Sequence, residues 1–367
     1  MSDALKTTPL ESLHRSLGAR MVAFAGYAMP LHYPAGIVSE HRHCRAQASL
    51  FDVSHMGQGV LRGEGAAAAL ERLTPADVQA LKPGRQRYAL LTAPDGGILD
   101  DFMVANRGDH LFLVVNAVCK EADFDHIAAH LPASVALERL DDRALVALQG
   151  PAAEAVMRRL GGTEAALLPF MGVADVTLAG IPASVSRSGY TGEDGFEISV
   201  AAGEAEALAR AILADPDVAP AGLGARDSLR LEAGLCLFGS DIDRTTSPVE
   251  AGLVWTIGKR RRAAWDFPGA ERVRAELELG PRRLRVGLRP EGRAPARAGT
   301  PILAADGTAL GEVTSGGFSP TLSAPVAMGY VPPGFAAEGT AVELLVRGKP
   351  LLARVCPIPF VPHRYRR

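Results

Sequence analysis

The length, composition and charge of the chain exclude several classes of protein. Its 367 residues suffice for two or three domains, and 47% apolar with 22% charged residues is an ordinary globular composition. A net charge of −2 argues against a nucleic-acid partner, and no apolar run is long enough for a membrane span. The first twenty residues lack an apolar core, so no secretory signal is expected, and Asp3 and Glu11 argue against a transit peptide.

The cysteines and the basic residues indicate the compartment. Cys44, Cys119, Cys236 and Cys356 are far apart and form no CxxC pair, which predicts neither a disulfide framework nor a zinc site. A reducing compartment is therefore expected. Of the 39 basic residues, 34 are Arg and 5 are Lys, which indicates a GC-rich bacterial genome. We expect the bacterial cytoplasm, or the mitochondrial matrix for a eukaryotic source.

Up to about residue 245 the pattern predicts helices mixed with antiparallel strands, which indicates an α+β arrangement. A turn or helix is predicted at 12–18 and a strand with a loop at 21–33. Further helices are predicted at 36–47, 65–73, 120–131, 150–160 and 204–213, and residues 50–56 are expected to connect a helix to a strand. Further strands are predicted at 57–62, in a hairpin at 86–105, and at 110–116, 135–139, 144–149, 174–179, 183–188 and 195–200.

The sequence pattern changes in the rest of the chain. Residues 226–234 fit a helix or a strand equally well, and residues 248–268 hold a basic run. From about residue 282, short apolar runs alternate with Gly and Pro turns, which predicts a separate small all-β domain.

The hairpin at 86–105 carries a pair of acids. Its turn, Pro94–Gly97, has the residues that tight turns require, and its second strand contains Asp100 and Asp101. Neighbouring residues on a strand face opposite sides, so one of the two carboxylates points inward and needs a partner or a purpose. The alternative is a pair of solvent-facing acids at the edge of a strand.

A Gly-rich acidic loop, residues 186–197, leads into another strand. It is too acidic for a phosphate loop. Glu197 begins the strand, where a carboxylate can accept two parallel N–H bonds of the kind that the amino-amide edge of a pterin or guanine offers. A surface hairpin with solvated acids explains the same pattern.

Charged residues alternate with small and apolar ones in the stretch 222–234. If this stretch is helical, Arg226 and Arg230 share a face and Asp227 can pair across a turn. One interpretation is a surface salt-bridge helix, which contributes little to stability. The flanking Gly, Leu and Ala residues favour buried Arg–carboxylate pairs with a structural or ligand role.

The basic run consists of Lys259, Arg260, Arg261 and Arg262. It is too short for duplex binding, and two interpretations stay open: a solvated face, or a docking site for an acidic partner or substrate tail. The stretch Ser54–Met56 has no second His at ligand spacing and the chain has no GxSxG elbow, so neither a metal site nor a catalytic triad is expected.

Taken in order, the segments resemble the aminomethyltransferases of the glycine cleavage system, the T-proteins. The resemblance runs nearly end to end, as far as Pro359–Pro362. The segments that carry it are Phe24–Pro30 (FAGYAMP), Leu50–Met56 (LFDVSHM), Gly96–Asp101 (GGILDD), Gly189–Glu197 (GYTGEDGFE), Gly222–Glu232 (GLGARDSLRLE) and Thr314–Leu322 (TSGGFSPTL).

The resemblance implies a three-domain α+β cloverleaf around a central folate site. A discontinuous folate-binding α+β domain is expected at 1–50 and 140–245, and a ferredoxin-like α+β domain at 51–139. A connecting segment at 246–280 leads to a C-terminal β-barrel or jelly-roll-like domain at 281–367. Both α+β domains are expected to have antiparallel sheets.

The resemblance also implies the reaction. An aminomethyl group on the lipoyl arm of H-protein passes its one-carbon unit to tetrahydrofolate, and ammonia leaves. Tetrahydrofolate is thus the acceptor, lipoylated H-protein is the partner, no metal is needed, and the enzyme is expected to be a monomer when free. Neither nucleic acid nor a membrane is an expected partner.

Site residues are carried over by their position in the matching motifs. Asp100 is expected beside the folate N5–N10 edge, with Asp101 as the second choice. The pterin edge is expected to meet Glu197, with Tyr190 and Arg226 beside it. The further pocket residues are Met56, Tyr88, Asn116 and Leu235.

The chain departs from the family at three positions. It has Tyr27 where Trp is frequent, Leu235 where some members have Tyr, and Pro362 where some have Arg. Relatives of the same fold offer rival functions, namely the folate-binding half of dimethylglycine or sarcosine oxidases, a folate-dependent demethylase of sulfonium substrates, and a non-catalytic folate-binding protein of iron–sulfur assembly. The first would need a flavin domain, and the last typically lacks the Asp-Asp strand.

Overall fold

The computed structural model describes residues 4–366, so the first three residues of the predicted folate-binding domain and the last residue of the predicted barrel domain lie outside the described part. The first elements are α1 (Glu11–Ser16), β1 (Arg20–Phe24), β2 (Tyr27–His32), α2 (Ile37–Ala46) and β3 (Ala48–Asp52). The expectation that residues 50–56 only connect two elements is wrong, because β3 reaches into this stretch. All five residues of β3 are buried, so the strand has no alternating pattern to reveal it.

A five-stranded antiparallel sheet follows, with strand order β5-β6-β7-β4-β8. Helices α3 and α4 cover one of its faces, where apolar side chains of the helices and strands form a single core. The hairpin predicted at 86–105 is confirmed as β5 and β6. The elements are β4 (Gly57–Gly63), α3 (Ala66–Glu71), β5 (Arg85–Thr92), β6 (Ile98–Asn106), β7 (Leu111–Val115), α4 (Lys120–Ala129) and β8 (Val135–Arg139).

A six-stranded sheet combines strands from before and after the five-stranded one, in the order β10-β11-β12-β9-β3-β13. Its pairs are antiparallel except for β3 and β13, which are parallel. The elements are β9 (Arg143–Gln149), α5 (Ala153–Arg159), α6 (Thr163–Leu167), β10 (Val173–Leu178), β11 (Ile181–Ser186), β12 (Gly195–Ala201), α7 (Ala205–Leu213), β13 (Val218–Pro220) and α8 (Leu223–Glu232).

This part of the structure bears on two predictions: the undecided stretch 226–234 and the domain border at residue 50. The stretch left open between helix and strand is the helix α8, whose buried stripe includes Ala225 and Leu229. The predicted domain border between residues 50 and 51 needs correction, because it would cut through β3, which stays in the six-stranded sheet as far as Asp52.

The C-terminal part is a closed six-stranded barrel with the order β14-β17-β16-β15-β18-β19. The fold class expected from the sequence, mixed α+β with a C-terminal barrel, is confirmed. None of the described helices is long and apolar enough to cross a membrane. The elements are α9 (Lys259–Ala264), α10 (Ala270–Leu279), β14 (Leu284–Pro290), β15 (Pro301–Leu303), β16 (Ala309–Ser319), β17 (Ala324–Val331), β18 (Ala341–Val346) and β19 (Lys349–Cys356).

The segment between α8 and α9 holds the hairpin turn in place. The Ile98 N–H donates to the Thr246 main-chain oxygen at 3.0 Å. A Cβ atom on Gly97 would lie 1.9 Å from the main-chain oxygen of Arg244, so only glycine allows this approach. The start of β6, with its two aspartates, is therefore fixed by contacts outside its own sheet.

Candidate functional site

The two aspartates of β6 point to opposite sides of the five-stranded sheet. Asp100 lies on the side of Val104, in the core under the helices, with 0% of its surface exposed. Asp101 is half-buried on the other side with Met103, which packs against β9 of the six-stranded sheet. From the sequence, Asp100 is expected beside folate, with Asp101 as the second choice. In the structure, the side of β6 that faces the second sheet carries Asp101, whereas Asp100 lies in the core under the helices.

Asn116, which follows β7, joins the two aspartates. Its Nδ2 atom donates to Asp100 Oδ1 at 2.9 Å, to Asp101 Oδ1 at 3.0 Å and to the main-chain oxygen of Asp101 at 3.0 Å. The hydroxyl of Tyr88 on β5 is near enough to the Asp101 carboxyl to lower the pKa of that carboxyl. The Asn116 amide therefore fixes the Asp101 carboxyl on the side that faces the second sheet, with the Tyr88 hydroxyl nearby.

Burial and mutual repulsion make these carboxyls weak acids. Burial, followed by contact with Asp123 of α4, raises the pKa of Asp100 to about 9. Burial and the charge of Asp100 raise the pKa of Asp101 to about 7, although the Tyr88 hydroxyl and the hydrogen bond from Asn116 lower it. A carboxyl with this pKa can accept and release a proton at neutral pH.

A second set of candidate residues comes from α8 and the six-stranded sheet. The guanidinium of Arg226 lies 4.7 Å from the centroid of the Tyr190 ring, and its Nη1 atom is buried without a partner among the described residues. Burial lowers the pKa of Arg226, and the nearby Glu197 carboxylate opposes this shift. Ser188 donates to Glu197 Oε2 at 3.0 Å. An unsatisfied donor beside a carboxylate suits a ligand edge with both acceptors and donors.

The acids in the loop before Glu197 are not solvated, so a surface hairpin does not describe this loop. Glu193 is buried and pairs with Arg45 at 2.6 Å. Asp194 pairs with the buried guanidinium of Arg187. The loop is therefore anchored on both sides of Tyr190.

Tyr88 and Tyr190 connect the residues around Asp101 with those around Arg226 and Glu197. The Tyr190 hydroxyl donates to the main-chain oxygen of Cys236, and Tyr88 packs on the apolar cluster that contains Cys236. The charges of Asp101 and Arg226 both act on the Tyr190 hydroxyl. Leu235, which precedes Cys236 in the chain, is half-buried.

Most of the candidate residues are linked to one another, pair by pair, where the two sheets meet. Met56, in the turn after β3, packs there with Met103 and Phe112. A cavity of about 20 Å³, which has room for about one water molecule, is lined by both sheets, including Phe112 and Glu197. The residues brought together are Met56, Tyr88, Asp101, Asn116, Tyr190, Glu197 and Arg226.

The basic run on α9 makes contacts within the chain. Arg261 is buried, and its guanidinium donates to the main-chain oxygens of Glu71 at 2.9 Å and Thr74 at 3.2 Å. Arg260 also pairs with Glu71. Neither a solvated face nor a docking role is therefore correct for Arg261, because its charge is used to hold α9 on the five-stranded unit. The exposed members of the run are Lys259, Arg260 and Arg262.

Two residues near the site were not found from the sequence. Asp123 lies against Asp100, and its only signal is an acid on the buried stripe of a helix, beside Phe124. Trp255 stacks on Tyr88 with ring centroids 5.5 Å apart and planes 28° apart, yet it is 63% exposed. The signal available in the sequence is that Trp255 is one of only two tryptophans in the chain.

The pairing predicted for α8 is confirmed. Arg230 donates to Asp227 at 2.9 Å across a turn, and it also pairs with the buried Asp241 at 2.7 Å. This side chain joins α8 to the barrel, because its Nη2 atom donates to Ser315 Oγ at 2.8 Å. Within residues 4–366, no group of three or more His, Cys, Asp and Glu residues is arranged to hold a metal ion.

Comparison with known proteins agrees with this architecture. A family model described as the GCVT N-terminal domain matches residues 10–261, and one described as the glycine cleavage T-protein C-terminal barrel domain matches residues 282–362. The chain is 47% identical over 371 residues to the mitochondrial aminomethyltransferases of Gallus gallus and Homo sapiens. It covers 94% and 92% of these relatives with 99% of its own length.

A solved structure gives the same result. The crystal structure of glycine cleavage system aminomethyltransferase T from Bartonella henselae superposes with a TM-score of 0.95 at 44% identity, over 99% of this chain and 100% of that one. Fold and site thus define a transferase of the aminomethyltransferase class. The chain belongs to the glycine cleavage T-protein family, which confirms the resemblance seen in the sequence.

Proposed function

We propose that this chain transfers the one-carbon unit of an aminomethyl group, carried on the lipoyl arm of H-protein, to tetrahydrofolate. The products are methylene-tetrahydrofolate, ammonia and dihydrolipoyl H-protein. The observation that carries the proposal is the Asp101 carboxyl, which Asn116 holds on the side of β6 that faces the six-stranded sheet. Tyr190 links it to Arg226, and Arg226 lies near Glu197.

Glu197 and Arg226 are proposed to bind the pterin. The free Oε1 of the Glu197 carboxylate can accept the N–H donors of the amino-amide edge, since Ser188 donates to Oε2. The unpartnered Nη1 of Arg226 can donate to an acceptor of the same ring system. An orphaned buried donor beside a carboxylate is expected where a ligand completes the hydrogen bonding.

Asp101 is proposed to act at the reacting atoms. Two folate N–H protons are lost when the methylene bridge forms; one ends on the lipoyl sulfur and the other on the departing ammonia. With a pKa of about 7, Asp101 can take one of these protons and return it. Its charged form also stabilises the positive charge that develops on the transferred carbon as ammonia leaves.

Several finer assignments stay proposals. We retain the three-domain division with the first border moved to follow Asp52, a monomer when free, and the bacterial cytoplasm. H-protein is proposed to dock near the exposed Lys259 and Arg262, where charge reversal should slow association in a salt-dependent way. Tetrahydrofolate binding is proposed to need no metal, so calorimetry before and after chelation should give the same Kd.

The test is a steady-state assay with aminomethylated H-protein and tetrahydrofolate, following ammonia release. Ammonia release that requires both substrates supports the proposal. Turnover of a methylated amine or sulfonium substrate without H-protein would indicate a demethylase instead. Folate binding without turnover of any of these substrates would indicate a non-catalytic folate-binding protein.

A further inference from the structure

The carboxyl groups of Asp100, Asp101 and Asp123 lie close together without an ion pair among the described residues. Asp100 is 0% exposed and Asp123 is 3% exposed, and both adjoin Asp101. No ion pair to any of the three is formed within the described part of the chain. The guanidinium of Arg244 is near enough to lower the pKa of Asp123, but it makes no ion pair with it. Like charges this close and this buried cannot all be ionised.

The hydrogen bonds show where a proton is needed. Oδ2 of Asp100 and Oδ2 of Asp123 are both buried, and no donor reaches either atom among the residues described. The two side chains are nevertheless close enough that each shifts the pKa of the other. A proton on Asp100 that is donated to Asp123 satisfies both side chains, whereas two carboxylates would leave two orphaned acceptors facing each other.

We propose that Asp100 and Asp123 share one proton, and that this pair acts through Asn116 to position the Asp101 carboxyl. The catalytic half of this inference rests on the proposed function; the shared proton does not. Asp100 and Asp123 are then positioning residues, and only Asp101 touches the reacting atoms.

The amide of Asn116 explains how the pair acts on Asp101. Its two hydrogens serve three acceptors, of which Asp100 Oδ1 at 2.9 Å and Asp101 Oδ1 at 3.0 Å compete directly. A neutral Asp100 is the weaker acceptor, so the amide bonds more strongly to the charged Asp101. A neutral Asp100 also removes from beside Asp101 a negative charge that raises the pKa of Asp101.

Every element packed against the pair contributes groups that bear on its titration. Cys119, just before α4, faces both carboxyls of the pair, and α4 also carries His126 near Arg244. Tyr88 on β5 acts on Asp101 beside the pair. The segment before α9 supplies Arg244. The control for these surroundings is Asp125, which lies on the same helix two residues from Asp123, is exposed, and pairs with Arg139 at the surface.

The first experiment is carbon-13 NMR of aspartate carboxyls titrated over pH in the full chain without substrates. In the wild type one aspartate is expected to titrate well above pH 7. In Asp123→Asn the amide replaces the like charge and donates to Asp100, so this titration should fall by on the order of one unit or more. Asp125→Asn should leave it in place. An unchanged high titration in Asp123→Asn overturns the shared proton.

The second experiment measures kcat against pH with saturating tetrahydrofolate and aminomethylated H-protein. In Asp123→Asn the ionised Asp100 raises the pKa of Asp101, so the titration seen in kcat should move up by about one unit while the folate KM stays within about twofold. A profile identical to that of Asp125→Asn overturns the positioning role.

Asp100→Asn keeps the inference testable if Asp123→Asn does not fold. Its amide mimics the protonated Asp100, because the oxygen accepts from Asn116 and the nitrogen donates to Asp123. We expect kcat within about tenfold of the wild type and no aspartate titrating near pH 9. A loss of on the order of 10³-fold would overturn the inference. If the wild type shows no aminomethyl transfer at all, the proposed function fails, and the NMR titration still decides whether the proton is shared.

Discussion

Replacement of Asp101 by Asn is the most informative perturbation of the proposed mechanism. The substitution keeps the size of the side chain and removes its charge and its basic oxygen. Asp101 is held by the Asn116 amide at 3.0 Å, so little reorganisation is needed when positive charge develops near it. We therefore expect the loss to fall mainly on kcat.

Two estimates of the magnitude agree. A unit charge about 4 Å from a unit opposite charge contributes about 4 kcal/mol at an effective dielectric constant of about 20. Removal of one preorganised group that stabilises developing charge costs about 2.7–4 kcal/mol, or about 10²–10³ in kcat. Asp101 is half-buried and is partly protonated at neutral pH, so the lower part of this range is expected.

The assay is steady-state turnover of aminomethylated H-protein at saturating tetrahydrofolate, with Asp100→Asn as the matched variant on the other side of the strand. Asp101→Asn should lose about 10²-fold in kcat, and the pH dependence near 7 should disappear with it. If Asp100→Asn is the inactive variant and Asp101→Asn is near normal, the side assigned to the pocket is wrong. Full turnover in both folded variants would refute the carboxylate mechanism.

The other predictions concern stability, folate binding and the basic run. Because the pKa of Asp100 is raised from 3.8 to about 9, the folded state keeps a proton that the unfolded chain releases, so the free energy of unfolding should fall as pH rises from about 4 to about 9. Urea unfolding should show a flatter profile for Asp100→Asn, and equal slopes would contradict the shift. Glu197→Gln should raise the folate KM about tenfold with kcat within about threefold, because charge-assisted bonds to the pterin are made in ground and transition states alike; an unchanged KM contradicts the assignment. Arg261→Ala should lower the free energy of unfolding by about 1–3 kcal/mol, since it leaves buried main-chain acceptors without their donor, whereas Lys259→Ala should change it by less than about 0.5 kcal/mol. Similar losses in the free energy of unfolding for Arg261→Ala and Lys259→Ala would show that the buried contacts of Arg261 add nothing to stability.

The sequence was most informative where periodicity and turn residues act locally. The hairpin around Pro94–Gly97 could be predicted because its turn chemistry is explicit and apolar runs flank it. The strand β3 could not, because a short run that is buried on both faces has no alternation. Helix α8 stayed undecided because charged residues such as Arg230, which donates to Ser315 of the barrel, interrupt its apolar stripe.

The site was harder to predict than the fold. Alternation showed that Asp100 and Asp101 face opposite sides, but only the packing of the two sheets decides which side forms the pocket. The partnership of Asp100 with Asp123 brings a strand and a helix together, and no local pattern encodes it. The burial of Arg261 likewise depends on main-chain oxygens of a distant helix end.

Transfer of the carbon itself tests the central claim most directly. The measurement is a single turnover of H-protein whose aminomethyl carbon is carbon-13 labelled, with excess enzyme and tetrahydrofolate, read by NMR and by ammonia assay. The account predicts that the label appears in methylene-tetrahydrofolate in equal amount to the ammonia released, and that Asp101→Asn slows both by about 10²-fold. Ammonia release without label in the folate, or equal rates in the wild type and Asp101→Asn, would contradict it.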